Sequence, residues 1–133
     1  DAKGVDWKDI PEGEPLFRAS ADGRGFAVSG GVAQAVVHAV KRIDPEREVK
    51  VVNAEGLQNC KKMLQMAKAG KYNGYLLEGM ACPGGCVAGA GTLQPVKKAA
   101  VALEKMKEEA SFTEASDSKY QSRLESLEKF DVE

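Results

Sequence analysis

Apolar positions over residues 25–110 switch between two periods, and the switches mark out the elements. Gly25-Phe26-Ala27-Val28 is a short apolar run bounded by turn residues, which predicts a buried strand. Val32, Val36, Val40 and Ile43 then recur at helical spacing. Ser29 is placed to cap that helix by accepting an unpaired N–H, and Asp44-Pro45 stops it. Residues 48–53 alternate and are rich in β-branched side chains, giving a second strand. Leu57, Cys60, Leu64 and Ala67 share one face of a helix over about residues 55–69, with Gly70 as its C-terminal cap. Tyr75-Leu76-Leu77 is a third strand. A glycine-rich loop over 78–95 follows. The next helix, about 94–109, starts at Pro95, whose missing N–H is no loss there, and turns Val96, Ala99, Ala100, Leu103 and Met106 inward.

Strand, helix, strand, helix, strand, loop, helix predicts an α/β fold: a small, mainly parallel sheet with flanking helices (βαβαβα). Outside this unit, residues 1–24 read as an irregular lead-in with Trp7 as a packing anchor. Residues 111–133 read as a polar connection ending in an extra amphipathic helix, about 117–130, marked by Tyr120, Leu124, Leu127 and Phe130.

Composition narrows the function. The 133 residues suit one domain, and a formal net charge of −1 with both signs interspersed gives no pull toward nucleic acid or an anionic membrane. No apolar run approaches the roughly 20 residues that span a bilayer. Three cysteines, two of them close together, argue against a disulfide framework and for a reducing, cytoplasmic setting. The chain starts at Asp1 without an initiator Met, a signal peptide or a transit-peptide composition, and reads as a fragment.

The chemistry gathers in Glu-Gly-Met-Ala-Cys-Pro-Gly-Gly-Cys-Val-Ala-Gly-Ala-Gly-Thr-Leu-Gln-Pro, residues 78–95. Cys82 and Cys86 bring thiols four apart. Gly84, Gly85, Gly89 and Gly91 present no side chain to a bulky guest and tolerate positive φ, while Pro83 stiffens the loop. A zinc site would want a second pair of Cys or His ligands, but the chain adds only Cys60 and His38. The spacing is not the C-x-x-C of thioredoxin-like redox sites. Lying after a strand of a parallel sheet and before a helix N-terminus, the loop is placed to receive an anionic guest.

This run closely resembles the third cluster-binding motif of the iron-only (FeFe) hydrogenases, E-x-M-A-C-x-G-G-C-x-x-G-G-G-Q-P. Glu78, Met80, Ala81, Cys82, Gly84, Gly85, Cys86, Gly89 and Gly91 fall in register, and Gln94-Pro95 follow after a two-residue insertion, Thr92-Leu93. Ser29-Gly30-Gly31-Val32-Ala33-Gln34-Ala35 resembles the family's T-G-G-V-x-E-A segment. The resemblance implies the C-terminal part of the H-cluster domain. In that family four cysteines hold an H-cluster, a 4Fe-4S cubane joined to a two-iron subcluster. Cys82 would ligate the cubane, Cys86 would bridge the cubane and the two-iron centre, and Met80 would sit against the latter. Cys86 and Met80 would then be the catalytic contacts, with Cys82, Cys86, Gly84 and Gly85 binding the cofactor.

The other two cluster motifs are not in this sequence. A cubane generally takes four thiolates, so the chain by itself is expected to hold no iron cluster. Its expected partners are the rest of the hydrogenase catalytic domain and, in the parent, a ferredoxin-like electron carrier; nucleic acid and membrane are not expected. Ala90 for a glycine, the Thr92-Leu93 insertion and Gln34 for an acid are departures from the family pattern. They keep open a hydrogenase-like iron-sulfur assembly factor or hydrogen sensor, and a plain interaction domain.

Several residues have structural readings. Cys60 behaves as a small hydrophobe on a helix face, and His38, flanked by valines, as a surface or packed side chain. Met80 fills core or touches the cluster. Glu78 orients the loop through backbone bonds, and Gly30-Gly31 permits close helix packing or borders the cluster cavity.

Overall fold

The computed structural model describes residues 4–11, 13 and 19–118. Helix α1 is Ala21–Gly25, α2 Gly31–Ile43 and α3 Leu57–Lys68; α4 is Val96–Glu108. Strands β1, Lys50–Glu55, and β2, Tyr75–Met80, pair in parallel with Lys50 opposite Tyr75 and Glu55 opposite Met80. Single 3-10 turns lie at Trp7–Asp9, Cys86–Ala88 and Ala115–Asp117. The architecture is α/β around a small parallel sheet, as expected.

Alternation along β2 places its two helices. Successive strand side chains point to opposite faces. Glu78 reaches the N-terminus of α2, whereas a methyl on Gly79 would lie 3.2 Å from the Cys60 sulfur and 3.7 Å from Met63 Cε. Helices α2 and α3 therefore cover opposite faces of this strand. Cys60 also donates weakly to the carbonyls of Ala54 (3.5 Å) and Met80 (3.6 Å), fastening α3 to both strands. Helix α1 packs on α2 and α4, and Ser20 caps it by accepting the Gly23 N–H at 2.9 Å.

Several sequence expectations shift. Residues 25–28, expected as a strand, form the end of α1 and a turn into α2. Four apolar residues are too few to tell a buried strand from a helix end, and Phe26 is exposed. Among the described residues the sheet therefore has two strands. The strand expected over 48–53 runs two residues later, and that expected over 75–77 extends through Met80, so Glu78 and Met80 lie on the strand itself. On α3, Met63 is the buried residue, while Leu57 and Leu64 are 72% and 60% exposed. On α4, Ala99, Ala100 and Leu103 are half-buried, but Val96 and Met106 are exposed.

Gly70 does end α3, at φ +86°, with the Gly70 N–H on the Ala67 carbonyl and the Lys71 N–H on that of Met66. From the last turn of α2, Arg42 binds Glu114, Ser116 and Asp117 and ties the Ala115–Asp117 turn to the body. The Trp7 side chain and residues 119–133, with the stripe Tyr120, Leu124, Leu127 and Phe130, lie outside the described residues.

Candidate metal centre

The cysteine loop leaves the sheet where both strands end. Gly56 N–H donates to the Met80 carbonyl at 2.8 Å, the last rung of the ladder. Beyond it, Ala81-Cys82-Pro83-Gly84 turns back over the carboxyl edge of the sheet. The Gly85 N–H closes the turn onto the Cys82 carbonyl at 2.9 Å. Glu55, the last residue of β1, accepts the Gly84 N–H at 3.1 Å, so the end of one strand holds the loop that follows the other.

The two segments that resemble hydrogenase motifs, some fifty residues apart in sequence, meet backbone to backbone. The Ser29 N–H donates to the Gly84 carbonyl (3.3 Å) and the Val87 N–H to that of Ala27 (3.0 Å). Gly85, at φ +91°, fits this approach: a methyl there would lie 2.7 Å from both the Ala27 oxygen and the Ser29 nitrogen. Gly31 is as constrained, because its methyl would lie 1.8 Å from the Gly25 oxygen. Gly31 thus serves close packing, one of the two roles expected of the Gly30-Gly31 pair.

Helix α2 begins at Gly30 rather than Ser29, and at φ +89° that residue supplies no side-chain cap. Glu78 supplies it instead. One carboxylate oxygen accepts the Gly30 N–H and the other the Ala33 N–H at 3.0 Å, and the residue is 7% exposed. A capping box satisfies these same two positions, N-cap and N3, with two local side chains; here one distant carboxylate serves both. Glu78, expected to orient the cysteine loop through backbone bonds, instead makes its backbone bonds to Gly30 and Ala33 at the start of α2. Glu55 was missed by sequence reasoning. Its signal would have been its pairing with Met80, unreadable before the register is known.

Within the loop, Cys82 is half-buried and Cys86 exposed, and neither they nor Cys60 form a disulfide. Gly89 lies beside them, its missing methyl 3.9 Å from the Cys82 sulfur and 3.1 Å from the Cys86 carbonyl. Met80 points elsewhere, lining a groove of about 280 Å³ with Val32, Ala33, Val36 and Leu77. The departures from the family pattern sit outside this pinned segment. Thr92 turns the chain onto the Gly89 carbonyl through its N–H (3.2 Å) and hydroxyl (2.8 Å), leaving Leu93 98% exposed. Ala90 occupies no positive-φ position.

The donor set fits half of an iron-sulfur site. Two thiols in a glycine-walled loop match part of the four-thiolate set of a cubane, and among the described residues no group of three or more His, Cys, Asp or Glu side chains could hold a metal. His38 is satisfied elsewhere: Nδ1 lies 2.9 Å from buried Asp22, leaving Nε2 to accept from Gln34 at 2.8 Å. No helix of the described residues is long and apolar enough to cross a membrane.

Known proteins share this sequence pattern. The chain is 33% identical to the periplasmic Fe hydrogenase large subunit of Nitratidesulfovibrio vulgaris over a 122-residue alignment covering 70% of this chain and 28% of that protein. It is 37% identical over 57 residues to a probable cytosolic Fe-S cluster assembly factor of Aedes aegypti, covering 43% of this chain and 12% of that protein. The chain thus spans well under a third of the length of either relative. Residues 1–90 match the family described as iron only hydrogenase large subunit, C-terminal domain, and on that match the chain belongs to this family.

Proposed function

We propose that this chain is the third-motif part of an iron-only hydrogenase catalytic domain, contributing Cys82 and Cys86 as two of the four cysteine ligands of an H-cluster. Cys82 would hold the cubane, Cys86 would bridge it to the two-iron centre, and Gly84 and Gly85 would let the backbone approach. The other two cysteines would come from the parent's remaining catalytic domain. When bound, such a cluster supplies the electron storage and open iron coordination that interconvert H2 with two protons and two electrons. The carrying observation is the pinned loop. Both cysteines flank the Gly84-Gly85 pair, and that pair is fixed against Ser29, the first residue of the second matching segment, and Ala27 just before it.

The chain's own residues have separate tasks. Glu55 and Glu78 hold the loop and the turn behind it. Met80 lines the mixed groove between α2 and β2, with Val32, Val36, Leu77 and Glu78, which supports core filling as directly as cluster contact. The isolated chain would hold no intact cluster. Cytoplasmic, anaerobic operation with a ferredoxin-like carrier completes the reading, while the Nitratidesulfovibrio relative is periplasmic by name.

The full-length parent, matured anaerobically, should evolve hydrogen and lose both activity and H-cluster signal on Cys86→Ala. Retained activity would sink the assignment. The match to an assembly factor supports a second reading, a non-catalytic hydrogenase-like protein, and a cubane signal without hydrogen turnover in the wild-type parent would select it.

A further inference from the structure

We infer that the Cys82–Cys86 loop is preformed in the metal-free chain and that Glu78 is the positioning residue that preforms it. The functional meaning of this inference rests on the ligand reading above; its physical content does not.

The argument follows the hydrogen bonds outward from Glu78. Gly30 begins α2 in the left-handed region, where a Ser, Thr or Asp cap, which needs an extended backbone, is excluded. The first N–H groups of a helix have no partner within it; that of Gly31 is met locally by the Val28 carbonyl, while those of Gly30 and Ala33 take an acceptor from another element. It comes from β2, the strand that also launches the cysteine loop. The Glu78 carboxylate takes the N–H of Gly30 and of Ala33, fixing the turn 27–30 against the sheet.

That turn is in turn the seat of the loop. Ala27 accepts from Val87, Ser29 donates to Gly84, and Gly85 fills the space between with no room for a methyl. Every one of these contacts is made by backbone atoms or by a glycine. None of them involves a cysteine, so none needs a metal. Metal sites commonly order only as the metal binds; here the ordering groups are all supplied by the protein. Without the carboxylate, two N–H groups next to a buried residue lose their acceptor, and the turn can shift away from Gly84 and Gly85 while β1 and β2 stay paired.

The test uses the reduced, metal-free full-length parent, with amide hydrogen exchange and with N-ethylmaleimide labelling read at Cys82 and Cys86 by peptide mass spectrometry. In the wild type, the Ser29 and Val87 amides should be protected and Cys86 should label faster than Cys82, the difference vanishing in denaturant. In Glu78→Ala, the amides of Ser29, Gly30, Ala33 and Val87 should exchange about 2- to 30-fold faster, the scale of a lost helix cap. The two labelling rates should converge, and the β1–β2 ladder should stay protected. Glu78→Gln keeps one acceptor oxygen and should show the same pattern at smaller amplitude, which carries the test if the alanine variant does not fold.

Unprotected Val87 with equal thiol reactivity in the wild type would overturn the preformed loop. A Glu78→Ala chain with Ser29 and Val87 still protected, or with the ladder loosened to the same degree, would overturn the positioning role. If the loop proves preformed while the Cys86→Ala parent keeps its cluster, the ligand reading fails and this inference stands.

Discussion

The two halves of the glycine-rich loop are built on opposite terms. From Cys82 to Ala88 the backbone is held by Glu55, Ala27 and Ser29, and Gly85 sits where a single carbon has no space. From Ala90 to Leu93 the chain stands in the open: nothing lies within 4 Å of where a methyl on Gly91 would be, and Leu93 is 98% exposed. The family pattern is kept in the first half and broken in the second, at Ala90 and by Thr92-Leu93. The glycine run is thus two devices in series, a close backbone contact followed by a free connection to α4. Only the first constrains the cysteines.

Substitutions at single positions can break this contrast. Gly31→Ala should be the most damaging, because its methyl would overlap the Gly25 carbonyl at 1.8 Å; a loss of at least about 3 kcal/mol in denaturant unfolding is expected. Gly85→Ala should follow at about 2–4 kcal/mol, combining left-handed strain with contacts of 2.7 Å to backbone. Gly91→Ala carries the strain alone, at φ +86° in open space, so about 1–2 kcal/mol. Leu93→Ser should change stability by no more than about 0.5 kcal/mol. Equal effects at Gly85 and Gly91 would show that the first half of the loop is not packed as described.

Much of the fold was legible because its signals are local. The helical spacing of α2, the β-branched run of β1, Gly70 after α3 and Pro95 before α4 each announce an element through their own chemistry. The failures are tertiary. Residues 25–28 read as a strand because they are apolar, yet their backbone closes local turns, with the Phe26 N–H on Gly23, the Val28 N–H on Gly25 and the Val28 carbonyl on the Gly31 N–H, and only the Ala27 carbonyl reaches the cysteine loop, at Val87. Leu57 and Leu64 look like an inward face, but α3 meets the sheet through Cys60 and Met63, where Gly79 leaves room.

The candidate site divides in the same way. Cys82 and Cys86 were visible as a motif, and the structure adds no third ligand among the described residues. What the sequence could not show is what holds them, since Glu78 meets Gly30 across 48 positions and Glu55 meets Gly84 across 29. Neither separation leaves a periodic trace.

Cys60 offers the sharpest internal control, a thiol of α3 packed against the same sheet and bonded to the Ala54 and Met80 carbonyls. The most direct measurement is therefore the iron content and electron paramagnetic resonance spectrum of the anaerobically matured full-length parent carrying Cys82→Ser or Cys60→Ser. The account predicts that Cys82→Ser loses the cubane signal and that Cys60→Ser keeps it at wild-type intensity. A full cluster in Cys82→Ser, or its loss in a folded Cys60→Ser, would contradict the account.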